Sequence, residues 1–388
     1  NDYCYEKLMA DVSVDFSWPV IDELHASSLC YSSGTTGSPK GVLYSHRSTI
    51  LHSFACCSAD GLAISGRDTV MPVVPMFHVN AWGMPYACTM AGAKIVFPGG
   101  AMDGKSLAEL LTDEEVTFSA GVPTVWLMLL QHLKETGGSL PHLQRTVVGG
   151  SALPQSMIET FEDDYDVACI HAWGMTEMSP LGTVGHMTNR LLSDKDADIM
   201  RYKVKQGRVL YGVDMKIINE EGTTLPTDGR AFGELCVKGP WVTSGYFETD
   251  SSSSFDNEGW FRTGDVATID DYGFMEVVDR AKDVIKSGGE WISSIELENI
   301  AVGHEGIAEA AVIGIEHQTW GERPLLVCVK SEGISPSTND ILSMYEGKVA
   351  KWCVPNAVEF VEELPHTATG KLQKLALREK FKTYQFSE

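Results

Sequence analysis

Short apolar runs separated by helix-length segments fill the first two hundred residues. Val70–Val74, Lys94–Phe97 and Thr146–Val148 read as buried strands, and Ser106–Leu111 and Pro123–Leu133 as helical segments between them. Ahead of these, Ser28–Ser33 runs into a Gly/Ser/Thr loop at Gly34–Gly41, followed by a strand at Val42–Tyr44 and a helix over residues 46–59. This alternation predicts a layered α/β domain with a largely parallel sheet. Residues 1–30 read as a polar stretch of helix and loop, broken at Trp18-Pro19.

The pattern changes after Gly207. Val213–Ile218, Gly233–Val237, Val266–Ile269 and Phe274–Val277 are short strands divided by Gly, Pro and Asp turns, which predicts a β-rich subdomain. Asp279–Asp283 reads as a linker. Beyond it a helix at Ser294–Val302, strands at Ala310–Ile315 and Leu325–Val329, a helix near 339–351 and a basic tail make up a small α+β domain. The expected organisation is therefore a large α/β domain over 1–278, a hinge over 279–283 and a small mobile domain over 284–388.

Composition narrows the field. With 388 residues, two domains are expected, and 43% hydrophobic with 21% charged residues is ordinary for a globular protein. No run of apolar residues is long enough to span a bilayer, and the N-terminus shows no signal-peptide pattern. The nine cysteines are scattered without a C-x-x-C pair, which predicts core thiols in a reducing, cytoplasmic setting. A net charge of −23 speaks against nucleic acid as a partner. Any phosphate-bearing ligand must then find a local island of positive charge.

The densest chemical signal is Tyr31-Ser-Ser-Gly-Thr-Thr-Gly-Ser-Pro-Lys-Gly41. Its glycines let backbone approach an anion, its hydroxyls and amides donate, and Lys40 adds charge. The G-x-x-x-x-G-K-[ST] order of a Walker loop is absent, so a kinase or ATPase of that type is excluded. Read alone, Thr176-Glu177 is a hydroxyl and a hard carboxylate suited to Mg²⁺ on nucleotide phosphates, or a solvated surface pair. Asp265 is a partner for ribose hydroxyls or a turn cap, and Arg280 a phosphate contact or a linker ion pair.

In order along the chain, this loop, Trp173-Gly-Met-Thr-Glu177, Gly259-Trp-Phe-Arg-Thr-Gly-Asp265, Asp279-Arg-Ala-Lys-Asp283, Lys286-Ser-Gly-Gly-Glu290 and Pro365-His-Thr-Ala-Thr-Gly-Lys371 resemble the adenylate-forming superfamily, in its acyl-CoA synthetase branch. The resemblance implies ATP, Mg²⁺ and coenzyme A as co-substrates and cofactor. A carboxylate attacks the α-phosphate of ATP to give an acyl-adenylate, and the CoA thiol then expels AMP. By that match Ser32, Ser33, Gly34, Thr35, Thr36, Gly37 and Lys40 cradle the phosphates. Gly149, Gly150, Ser151, Trp173, Gly174 and Met175 form the nucleotide and acyl wall, and Asp265 and Arg280 hold the ribose side. Thr176 and Glu177 serve catalysis, with Glu177 as the metal ligand. Lys371 is the implied catalytic residue of the first half-reaction, holding the attacking oxygen against the α-phosphate. Lys282 occupies the hinge, and Gly288, Gly289 and Glu290 match the segment along the pantetheine channel. A homodimer is left open.

For the acid, Val74-Pro-Met-Phe-His-Val-Asn-Ala-Trp82 is similar to the medium- and long-chain fatty acyl-CoA synthetases, which places His78 and Trp82 beside the substrate. No Asp follows Phe77, which speaks against an amino acid. Trp82 and Trp173 together are expected to shorten the pocket, favouring a short or medium acid, and His171–Pro180 with Glu290–Ser294 is similar to methylthiopropionate-CoA ligases. The branch usually carries a further stretch before the phosphate loop, so an N-terminal part is expected to be missing, with apolar surface exposed in its place. Two other readings stand beside the ligase: an adenylate former with a non-CoA acceptor, and a non-catalytic nucleotide or acyl binder.

Overall fold

The computed structural model describes residues 4–10, 12–32, 39–288, 290–331, 333–366 and 372–386. A two-stranded antiparallel ribbon, β1 (Ala26–Tyr31) and β2 (Gly41–Ser45), leads into the helix His46–Cys57, whose first turn is closed by a capping box between Ser45 and Ser48. The main sheet follows. Its first strands are β3 (Thr69–Pro72), β4 (Lys94–Ile95), β5 (Phe118–Gly121), β6 (Arg145–Val148) and β7 (Ala168–Gly174). They continue as β8 (Leu181–Val184), β9 (Gly207–Val209), β10 (Asp214–Ile218), β11 (Phe232–Lys238), β12 (Phe261–Ile269) and β13 (Phe274–Arg280).

These strands form one sheet in the order β10-β11-β12-β13-β9-β8-β7-β6-β5-β3-β4. The half from β4 to β7 is parallel, and every pairing from β7–β8 outward to β10 is antiparallel. The expected β-rich subdomain is thus continuous with the α/β sheet, joined at β7. The period-two alternation of strands explains why both faces are covered. Val70, Phe118 and Val147 pack on one face with Cys56, Met84 and Cys88 of two helices. Their neighbours Met71 and Val148 pack on the other face with Leu107, Leu111, Trp126 and Leu129. Those last four come from the helices Gly104–Asp113 and Pro123–Thr136, which lie close to the expected positions.

The C-terminal sheet comprises β14 (Ile285–Ser287), β15 (Glu290–Ile292), β16 (Ile307–His317), β17 (Gly321–Lys330) and β18 (Ala357–Val361), with β18 parallel to β17. The helix Ser294–Val302 has the expected bounds, whereas the one expected over 339–351 is a single piece at Thr338–Ser343. Turns take over from there, ending in a left-handed Gly347. Asp279 and Arg280, read from sequence as the start of a linker, are the last two residues of β13. Asp279 is fully buried and accepts the Ser294 amide at 2.5 Å, while Arg280, its neighbour in the strand, turns to the large domain. No helix among the described residues is long and apolar enough to cross a membrane.

Candidate active site

In open α/β sheets, ligands bind in a crevice outside the carboxyl ends of the strands. The end of β7 opens on such a cavity, of about 430 Å³. Trp173, Gly174, Met175, Thr176 and Glu177 run along it, and Gly149 and Gly150 at the end of β6 form the adjacent wall. Gly149 has a packing reason to be glycine, because a Cβ there would sit 3.2 Å from the Trp82 ring. His78 and Trp82 reach the same cavity from the segment after β3, and Ser32 and Lys40 reach it from the two flanks of the phosphate loop.

One end of the site is built on paired strands. Asp265 of β12 stands opposite Arg280 of β13, and the Arg280 Nε lies 2.7 Å from its Oδ1. The Trp173 indole donates to Oδ2 at 2.9 Å, and Asp265 is only 2% exposed. Oδ1 has the ion pair but no aligned hydrogen bond from a described residue, so it is the atom left to accept a ligand hydroxyl. Arg280 and Lys282 line the cavity with Lys40, so three cations gather there in a protein of net charge −23.

Glu177 is buried, and its Oε1 accepts the Tyr246 hydroxyl at 2.7 Å. The Lys40 ammonium sits 4.4 Å from the centre of the same ring. Burial and the neighbouring Glu177 push the Tyr246 phenol up, so the hydroxyl stays a donor. The backbone here is held in two places: Thr243 N–H donates to the Glu177 carbonyl at 2.7 Å, and Tyr44 O–H to the Thr176 carbonyl at 2.6 Å. No cluster of three metal-ligating side chains exists among the described residues. A hard cation at Glu177 would therefore take one protein carboxylate and complete its shell with phosphate oxygens and water, the habit of Mg²⁺.

The other end, with His78 and Trp82, is built on a turn. Val79, Asn80, Ala81 and Trp82 all have φ between 50° and 58°, followed by Gly83 at 70°. Each such L-residue costs about 1–2 kcal/mol, so neighbouring groups must hold this segment in place. Beneath it the His52 ring accepts the Leu181 amide at 3.1 Å and occupies the space a Gly83 side chain would need. Burial lowers His52 to about 3, so it is a neutral acceptor.

Several expected site residues lie elsewhere. Ser151 is exposed at the rim of β6, where its carbonyl meets His171 at 3.3 Å. Gly288 and Glu290 belong to the β14–β15 hairpin, whose Trp291 packs on Phe232, and they do not line the cavity. Ser33, Gly34, Thr35, Thr36, Gly37, Gly289 and Lys371 lie outside the described residues. Trp82 and Trp173 both line the cavity, and the Trp173 indole N–H is engaged by Asp265. Tyr246, Tyr44 and His52 were not anticipated. Ser244-Gly245-Tyr246, an aromatic after glycine in a polar stretch, was the available signal for the first, and the other two are apolar-face residues of β2 and its helix with none.

Comparison with known proteins agrees with this geometry. The profile of AMP-binding enzymes matches residues 8–247, and that of the AMP-binding enzyme C-terminal domain matches residues 296–371. The chain is 53% identical to the 3-methylmercaptopropionyl-CoA ligase of Ruegeria pomeroyi over 97% of its own length and 70% of that protein's. It is 52% identical to the medium-chain-fatty-acid–CoA ligase of Ectopseudomonas oleovorans, covering 97% of the chain and 69% of the relative. Among solved structures, ATP-bound MatB from Rhodopseudomonas palustris superposes with a TM-score of 0.85 at 27% identity, covering 98% of this chain and 73% of that one. O-succinylbenzoate coenzyme A synthetase from Bacillus subtilis, in complex with ATP and magnesium, gives 0.83 at 26% identity, covering 96% and 74%. The protein belongs to the AMP-binding, adenylate-forming enzyme family.

Proposed function

We propose that the chain is an AMP-forming acyl-CoA synthetase acting on a short or medium acid. The observation that carries this reading is the meeting of two differently built ends in one cavity: Arg280, backed by its ion pair to the buried Asp265, and Glu177 at one side, His78 and Trp82 at the other. The first set suits a nucleotide and its phosphates, the second an acyl group. When bound, Mg²⁺ neutralises charge on the phosphates at Glu177. Lys40, Arg280 and Lys282 set positive charge around the polyphosphate, and Asp265 accepts from the ribose hydroxyls.

In the first step an oxygen of the acid attacks the α-phosphorus, and the bond to pyrophosphate breaks. In the second, the CoA sulfur attacks the acyl carbonyl, its proton is lost, and AMP leaves with the electron pair. Lys371 is proposed to hold the acid oxygen against the α-phosphate in the first step. Gly288 and Gly289 are proposed to border the pantetheine in the second, which requires the C-terminal domain to turn at Lys282. A cytoplasmic setting is supported by the nine cysteines, all of them free thiols. Trp82, closing on Gly149, favours methylthiopropionate or a medium-chain fatty acid over a long one.

The test is pyrophosphate release with Mg·ATP, CoA and acids from propionate and methylthiopropionate to palmitate. Acid-dependent release with thioester product is expected. Release without thioester would move the assignment to a non-CoA acceptor, and no release from folded protein would reduce the chain to a binder. Lys371→Ala is expected to abolish adenylate formation while sparing most of the thioester step from supplied acyl-AMP. Equal loss in both steps would overturn that role.

A further inference from the structure

The left-handed turn Val79–Trp82 lies outside every sheet, yet it presents both acyl-side residues to the cavity. A β-branched Val at φ 50° does not persist unless its surroundings over-determine it. Asn80 is at the centre of the turn, and Asn tolerates this region better than most residues. Its amide makes a three-way attachment. Nδ2 donates to the Ser28 hydroxyl at 3.1 Å and to the Tyr86 hydroxyl at 3.3 Å. Oδ1 accepts the Cys30 S–H at 3.4 Å, and burial pushes that thiol above its ordinary value, so the proton is there to donate.

Ser28 and Cys30 belong to β1, the strand that runs through Tyr31 and Ser32 directly into the phosphate loop. β1 is itself held by its ladder to β2, from Ala26↔Ser45 to Tyr31↔Gly41. The turn has no ladder. It is held by the Asn80 amide, by Val79 and Trp82 packed with Cys30, Val42 and Tyr44, and by His52, whose ring fills the space beside Gly83. Without the Asn80 amide β1 keeps its ladder to β2, whereas the turn loses one of its three supports.

We propose that Asn80 is a positioning residue that sets acid selectivity, fastening the turn that carries His78 and Trp82 to the strand that feeds the phosphate loop. The proposal rests on the ligase reading for the identity of the acid, and on geometry for the coupling. Asn80 does not line the cavity. It acts through the placement of Trp82 and His78, as a first contact held to geometry by its neighbours.

The experiment is calorimetric binding of acyl-sulfamoyl-adenosines, non-reacting mimics of the adenylate, with butanoyl, octanoyl and dodecanoyl chains, alongside ATP itself. Asn80→Gly keeps the left-handed backbone and deletes the attachment. It should bind the best analogue about ten-fold more weakly, the scale of a few lost neutral hydrogen bonds, and flatten the ranking by chain length. ATP affinity and the circular dichroism spectrum should stay as in the wild type. Asn80→Asp, which also tolerates the turn and can accept from Ser28, Tyr86 and Cys30, should keep the ranking. Wild-type ranking in Asn80→Gly would overturn the proposal, and so would a parallel loss of ATP affinity, which marks a general structural role. Wild-type protein that binds the analogues yet releases no pyrophosphate would sink the ligase reading and leave this comparison readable.

Discussion

The two ends of the cavity are made by different means. At the nucleotide end, Asp265 and Arg280 face each other across a ladder, and Trp173 closes the group from the next part of the same sheet. Their positions follow from strand register, and a slip of one residue would send all of them to the other face. At the acyl end, His78 and Trp82 hang on a turn outside the sheets that is strained and held by side chains. The sheet can keep one nucleotide geometry while the turn is retuned for another acid. A fold that binds one common co-substrate and many acids gains from that division, since loops on a rigid frame change at less structural cost than the frame.

Substitutions at the nucleotide end should have the largest effects. Asp265→Ala strands the buried Trp173 N–H and removes the carboxylate facing Arg280. With hydrogen bonds to a charged group worth about 1.5–3 kcal/mol each, acid-dependent pyrophosphate release should fall by at least ~100-fold. ATP affinity should fall with it, and unchanged ATP binding would refute the assignment of the ribose side. Tyr246→Phe is milder. It keeps the ring under Lys40 and deletes the bond to Glu177, so half-saturation by Mg²⁺ should rise about five-fold, as loss of one hydrogen bond implies. Titrating Mg²⁺ into protein with ATP by calorimetry reads this without turnover, and an unchanged midpoint would separate Glu177 from the metal.

At the acyl end smaller effects are expected, because the turn can yield. Gly149→Ala puts a methyl 3.2 Å from the Trp82 ring and 3.0 Å from the Ala172 carbonyl. Displaced into the cavity, Trp82 should lower kcat/KM for the preferred acid about three-fold and move the optimum toward shorter chains. An optimum displaced toward longer chains would reverse the assigned direction of Trp82. The protonation of His52 is read most directly against pH. Its folded value of about 3 lies below the ordinary 6.5, so the unfolded chain takes up the proton first as pH falls. Stability should be level above pH 6.5 and decline from there toward 3. His52→Gln should flatten part of that decline in urea midpoints, and an identical slope in both proteins would rule out the buried neutral ring as its source.

Much of the architecture was legible because local signals and packing agree. The apolar runs at Val70–Val74 and Thr146–Val148 lie on buried strands, and Ser293 caps the helix Ser294–Val302 where it was expected to start. Polar segments paired less visibly. β8 and β9 are short strands that complete the sheet, but neither has a period long enough to show in sequence. Asp279 and Arg280 look like linker residues in sequence for a related reason: only cross-strand pairing with β12 turns them into the end of β13.

The sequence by itself determined the family's chemistry, through contiguous motifs such as Trp173–Glu177 and Gly259–Asp265 whose residues act within a few positions of one another. It also carried the α/β alternation and the cations that gather in an acidic chain. Tertiary structure alone decided that Trp173 donates to Asp265, that Tyr246 joins Lys40 to Glu177, and that Asn80 fastens the turn to β1. Each of these is a contact between segments 50 to 206 residues apart. No local propensity encodes such a contact, because its energy depends on a neighbour that the chain supplies only once it has folded.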